Sequence, residues 1–218
     1  MKLAWLAIGT LALAAHSQAP AARESVVQVN FSNPGLSPSQ WAITLHPDGS
    51  GHFRSPIGKA PDDGQEMGTP GVDRDIQVSA GFAARVFDVA KRQNWFNEPC
   101  ESHLKVAFQG WIQLSYTGTE GAGSCTFNYS KNKEIQTLGE SMVSVALTIL
   151  EGARLEMLLQ HDRLGLDTEM KALTEAVRDG RAQQVGTIRG ILGRLAHDDG
   201  VLERVRRSAI ALLTLGST

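Results

Sequence analysis

Cysteine is scarce in this chain, an excess of charge of either sign is missing, and no apolar run reaches membrane-spanning length. Each shortage removes a class of function. There are two cysteines, Cys100 and Cys125, and no Cys-x-x-Cys, so a dithiol redox motif is not available. A formal net charge of −2 gives no field to recruit nucleic acid or anionic lipid. The main apolar stretch, Leu3 to Ala15, falls short of the about 20 residues that a membrane helix needs. There is no His-Glu-x-x-His, which removes the helical zinc-hydrolase signature.

That short apolar stretch has the form of an export signal. Lys2 supplies a positive start, Leu3 to Ala15 the apolar region, and Ser17-Gln18-Ala19 or Ala19-Pro20-Ala21 a small-residue cleavage site. Residues 1–21 are therefore read as a signal peptide, with an uncleaved N-terminal anchor as the alternative. No cysteine lies near the cleavage region, so a lipid-modified N-terminus is excluded. The expected location is periplasmic or secreted, with no membrane span after cleavage. In an oxidising compartment an isolated cysteine pair forms a disulfide, so Cys100 and Cys125 are expected to be bonded. Closing a loop of that length stabilises by about 3 kcal/mol in the chain-entropy model. A reactive thiol is the alternative, but His103 is the only basic group near Cys100 in sequence.

Hydrophobic residues make up 42% of the chain, enough for a packed core. Val27, Val29 and Phe31 alternate with polar residues, as do Trp41, Ile43 and Leu45, the period of a half-buried strand. Pro47-Asp48-Gly49-Ser50-Gly51 is turn chemistry leading to a short strand around His52-Phe53-Arg54. Residues 55–75 carry three prolines and four glycines without periodicity and are read as a mobile surface loop, with a ligand lid as the alternative. Ser79 caps a helix that ends before Asn97-Glu98-Pro99. Leu104 to Phe108, Ile112 to Tyr116 and Cys125 to Tyr129 read as further strands, the last two joined by the Gly-rich Gly118–Ser124 hairpin. Ile135, Leu138, Met142, Val145 and Ile149 mark a long helix over 133–160. Gly165 breaks it, and shorter helices follow over 168–179, 182–197 and 201–214.

The expected fold is α+β: an antiparallel sheet of two hairpins with two packing helices, followed by a C-terminal helical hairpin region. The expected units are a signal at 1–21, an α+β domain at 22–160 and a helical appendage at 161–218. From Trp41 to about Leu159, the strand with its Asp-Gly hairpin, the Ser79-capped helix ending in Trp95-Phe96, the second hairpin and the closing helix resemble uncharacterised bacterial exported α+β domains. That resemblance implies an architecture and no established activity. The chain departs from it in having no cysteine pair near the first strand.

No complete catalytic or metal set can be assembled from the residues. His46 and His52 straddle the first hairpin with Asp48 in its turn, and a metal site there lacks a third rigid ligand. Ser102-His103-Leu104-Lys105 matches Ser-x-x-Lys and Ser130-Lys131-Asn132 matches Ser-x-Asn, but no Lys-Thr-Gly follows, the spacing is compressed, and both fall at strand edges where the first needs a helix N-terminus. The Gly118–Ser124 loop leads into a strand, so its amides add to no helix N-terminus and it makes no phosphate cradle. Glu98, Glu101 and Glu120 lie near turns, with no separation assignable to glycosidase carboxylates. Seven arginines between Arg178 and Arg207 are interleaved with acids and read as a solvated face of ion pairs. Catalytic, cofactor and metal residues are thus left unassigned. The expectation is an exported, non-catalytic binding module of the bacterial envelope. Its partner would be another envelope protein, met through a sheet edge, the 55–75 loop or the helical appendage. The alternative is a hydrolase assembled from a distant histidine and carboxylates.

Overall fold

The computed structural model describes residues 24–59 and 68–216. The expected signal and its cleavage site, and the middle of the 55–75 connection, lie outside those residues. Alternation makes the first strand: β1 (Val26–Ser32) buries Val27, Val29 and Phe31 and turns Gln28, Asn30 and Ser32 outward. β2 (Gln40–Leu45) and β3 (Ser50–Ser55) follow as a hairpin whose turn places Gly49 at φ 83°, a conformation open to a residue without Cβ. β4 (Val72–Gln77), β5 (Trp111–Thr117) and β6 (Ala122–Phe127) complete one antiparallel sheet in the order β4-β3-β2-β1-β5-β6. The α+β architecture is as the sequence predicts. The two hairpins meet on β1, which pairs with β2 on one side and β5 on the other.

Two segments depart from expectation. The last part of the 55–75 connection is a strand: β4 pairs with β3 from Ser55↔Val72 to Ser50↔Gln77. Its apolar phase is broken because Arg74 takes the inward position between Val72 and Ile76. The Arg74 guanidinium forms two hydrogen bonds to Glu156, at 2.8 and 3.3 Å, which makes an inward arginine tolerable. Leu104 to Phe108, by contrast, forms no strand, and Leu104, Val106 and Phe108 are exposed. Its neighbouring backbone is held instead by side chains: Asn128 Nδ2 donates to the Ala107 carbonyl and Asn128 Oδ1 accepts from Gln109 N–H.

One sheet face is covered by helices. α1 (Ala80–Arg92) starts where Ser79 Oγ accepts from Phe82 N–H and buries Phe82, Ala83, Val86 and Ala90. α2 (Lys133–His161) is capped by Asn132, whose side chain accepts from Glu134 and Ile135 N–H. After α1 the chain makes a left-handed turn, with Asn94, Trp95 and Phe96 at φ 48°, 58° and 63°. Such angles cost about 1–2 kcal/mol per residue for side chains with a Cβ. Phe96 is buried, and Trp95 stacks on Tyr116 with ring centroids 4.3 Å apart. Gly121 and Gly123 admit this turn: a Cβ on Gly123 would lie 2.6 Å from the Trp95 carbonyl oxygen. The glycines of the second hairpin thus make room for a packed tryptophan. Just beyond the turn, Cys100 is bonded to Cys125 of β6, with Cα atoms 5.8 Å apart.

A second apolar cluster surrounds the C-terminal half of α2. Leu155 and Leu158 pack with α3 (Leu166–Arg178), a 3₁₀ turn at Val185–Ile188, α4 (Arg189–His197) and α5 (Glu203–Leu215). The helix expected over 182–197 is tighter in its first turn, after Gln184 at φ 56°. One helix therefore serves both cores. Glu156 ties the layers further, since it also meets Arg194 of α4 at 3.1 Å.

Candidate functional site

Among the described residues nothing covers the face of the sheet opposite α1 and α2, and none of its outward side chains is buried. Register arranges these side chains in rows across the strands. One row runs Thr126, Gln113, Asn30, Ala42, Arg54, Asp73 from β6 to β4. The next runs Ser124, Ser115, Gln28, Thr44, His52, Asp75. On the other side of the first row stand Trp111, Ser32 and Gln40. Alternation fixes which residues face outward, and pairing then decides which of them become neighbours.

At the β1–β5 centre the amides are linked. Gln28 Nε2 donates to Asn30 Oδ1 at 3.2 Å, and Asn30 Nδ2 donates to Gln113 Oε1 at 3.0 Å. Ser115 Oγ donates to the Gln28 carbonyl. Trp111, 45% exposed, meets Phe108 edge to face at 5.8 Å. Asn30, Gln113 and Trp111 border a shallow hollow of about 940 Å³ that also reaches Gln40, Ala42, Arg54 and Ile57. Small Ala42 in the central strand deepens it.

Charge on this face is concentrated at the β3–β4 end and is paired there. His52 Nε2 lies 2.8 Å from Asp73 and Nδ1 2.9 Å from Asp75. The Asp75 hydrogen bond raises the His52 pKa above its ordinary value, burial partly opposes this, and Asp73 adds to the rise. Arg54 lies 3.6 Å from the same Asp73. Both imidazole nitrogens therefore face carboxylates, and the group is a cross-strand tie.

The remaining candidates from the sequence are scattered. His46 Nδ1 faces Glu24 at 3.3 Å, and Asp48 accepts from Ser50 N–H and Oγ–H within the turn, which lowers its pKa. Among the described residues no group of three or more His, Cys, Asp or Glu is placed to hold a metal ion. Ser102 Oγ lies 3.3 Å from Glu101 and accepts from Leu104 N–H. Ser130 is buried, and its Oγ accepts from Asn132 N–H. Burial pushes the Glu101 pKa up, but the Asn128, His103 and Tyr129 amides outweigh it and hold it low. Glu98 meets Asn94, and His197, at the end of α4, lies 2.8 Å from the Gly193 carbonyl. His197 thus satisfies a late carbonyl at the end of its helix. Arg204 pairs with Asp167, Arg206 with Asp199 at 2.7 Å and Arg207 with Glu203 at 3.6 Å, the solvated ion pairs expected of that region.

The sequence reading passed over Trp111, Gln113, Asn30 and Gln40. Their signal was the polar phase of the same alternation that marked the core. Among the described residues no helix is long and apolar enough to cross a membrane. No family model matches the chain, and no curated protein matches it.

Proposed function

We propose that this chain is an exported, non-catalytic binding module of the bacterial envelope, and that its docking surface is the uncovered face of the sheet. The observation that carries the reading is the linked amide row at Gln28, Asn30 and Gln113 beside exposed Trp111. Polar groups held in fixed positions next to a flat aromatic ring are the ingredients of a specific contact surface. The Cys100–Cys125 bond supports an oxidising location, and the apolar N-terminal stretch supports export. The hydrolase alternative draws no support from His52, whose two ring nitrogens meet Asp73 and Asp75 and no hydroxyl. It draws none from Ser102, whose hydroxyl bonds to Glu101 and Leu104.

The test is co-sedimentation of the purified chain with a bacterial envelope fraction. Gln113→Arg places a bulky charge in the centre of the face and is expected to weaken retention about tenfold or more, as for a central contact residue. Lys171→Glu, on an exposed position of α3, is expected to leave it unchanged. Equal retention of the wild type and Gln113→Arg would overturn the assignment of the surface.

A further inference from the structure

The chemistry of the open face narrows its occupant, granted that this face is the binding surface. We infer that it binds a neutral oligosaccharide, with Trp111 as the stacking platform and the Gln113, Asn30 and Gln40 amides as the hydroxyl-reading groups. Three observations carry this.

The first is complementarity of charge. The charged side chains of the face are Arg54, His52, Asp73 and Asp75, and all four are engaged with one another at the β3–β4 end. The Trp111–Gln113–Asn30 end carries no charged side chain. Among the described residues of this end, a phosphate- or carboxylate-rich ligand finds no free cation, and a basic ligand finds no free anion. The matching ligand is polar and uncharged.

The second is hydrogen-bonding capacity. A primary amide offers two donors and an acceptor with two lone pairs. Asn30 uses one donor and one lone pair within the ladder, and Gln113 uses one lone pair. Among the described residues, the Gln113 Nε2 donors and both ends of the Gln40 amide make no hydrogen bond within the protein. Donors and acceptors thus stand side by side, and the vicinal hydroxyls of a sugar, each both donor and acceptor, satisfy such an arrangement. The Asn30–Gln113 bond fixes the amide orientations in advance, which lowers the ordering cost of binding.

The third is the aromatic. The indole of Trp111 offers a flat apolar surface with a polar edge, and its edge-to-face contact with Phe108 restrains it. A pyranose ring has a C–H face of matching size and polar rim. From Thr126 of β6 to Ala42 of β2 the uncharged part of the central row spans roughly 14 Å at the usual spacing of strands, room for a short linear oligosaccharide. A protein partner of ordinary composition would call for a more apolar centre.

Isothermal titration calorimetry of the full chain with chitotetraose, cellotetraose and maltotetraose tests the inference. At least one tetrasaccharide is expected to bind with Kd below about 10 mM. Trp111→Ala should raise that Kd about tenfold, and Gln113→Ala about threefold or more. Both positions are at the surface, and far-UV ellipticity checks that the variants remain folded. The inference is overturned if none of the three binds, or if binding persists unchanged in Trp111→Ala. Failure here with envelope retention still sensitive to Gln113→Arg would overturn the saccharide and leave the surface assignment standing. Loss of both would remove the two together.

Discussion

Replacing Glu151 by glutamine tests whether the contact between α2 and α3 holds a proton at neutral pH. Glu151 of α2, Glu169 of α3 and Arg154 of α2 share one partly sealed space, in which Arg154 lies 2.8 Å from Glu169 and Glu169 is 9% exposed. One cation balances one carboxylate. Burial first, then the hydrogen bond to Glu169 and its charge, push the Glu151 pKa from 4.5 to about 8, against the weaker opposing pull of Arg154. An acid with a raised folded-state pKa keeps its proton in the folded state at pH values where the unfolded chain has lost it. Its contribution to stability is therefore fully present below about pH 4.5 and is lost as pH rises through about 8. At about 1.36 kcal/mol per unit the ceiling on that loss is about 5 kcal/mol. Water entry and side-chain relaxation reduce it, so about 1–3 kcal/mol is the expected size. Glutamine mimics the protonated acid and keeps a donor for Glu169. Glu151→Gln is thus expected to match the wild type near pH 4.5 and to exceed it by about 1–3 kcal/mol at pH 9. Urea unfolding at constant ionic strength, followed by ellipticity from pH 4.5 to 9, measures the difference, in which the distant histidines cancel. Parallel profiles for the two proteins would refute the argument.

Replacing both Cys100 and Cys125 by serine is expected to cost about 3 kcal/mol, read from the urea midpoint of the oxidised wild type against the double variant; an unchanged midpoint would show that the bond contributes nothing. Gly123→Ala should destabilise by about 2 kcal/mol or more, because its Cβ meets the Trp95 carbonyl and the Asn97 amide, both backbone. Gly190→Ala is the control: it sits in α4 with nothing within 4 Å of its Cβ and should stabilise by about 0.5–1 kcal/mol. Thermal unfolding that ranks the two glycine variants in the opposite order would contradict the packing account. The His52 titration, followed by NMR, is expected to have its midpoint above 6.5 and to shift downward in Asp75→Asn; the tie between β3 and β4 is then present below that midpoint and weakens as pH rises through it. An unshifted midpoint in Asp75→Asn would remove Asp75 as its main cause.

The parts legible in the sequence are those whose cause is local. Ser79 and the stripe of Phe82, Val86 and Ala90 announce α1, and the alternation of Val27, Val29 and Phe31 announces β1. β4 was hidden because its inward Arg74 is satisfied by Glu156, 82 residues away. Leu104 to Phe108 misled for the converse reason: the pattern of a strand is present, and no strand pairs with it. The open face lies between these cases. Each of its polar residues follows from alternation, yet the row that sets Gln113 beside Asn30 depends on the β1–β5 register, and these strands are separated by three others and a helix. The glycines at 121 and 123 look like a flexible loop until Trp95 is in place against them.

The disulfide and the left-handed turn belong to one energetic argument. Three residues at positive φ cost about 3–6 kcal/mol together. Burying Phe96 returns about 2–3 kcal/mol, stacking Trp95 on Tyr116 about 1 kcal/mol, and the Cys100–Cys125 bond about 3 kcal/mol. Burial and stacking alone, about 3–4 kcal/mol, match only the lower part of that cost, and the disulfide brings the return to about 6–7 kcal/mol, enough to cover all of it. Tyr116 lies on β5, the strand that also presents Gln113 and Trp111 on its first residues, and Cys125 lies on β6 beside Thr126. Oxidation thus stabilises, from behind, the half of the sheet that carries the uncharged end of the open face. Loss of the bond should first loosen β6, an edge strand with a single neighbour, and leave the helical cluster around α3 to α5, which packs against the other end of α2, largely intact.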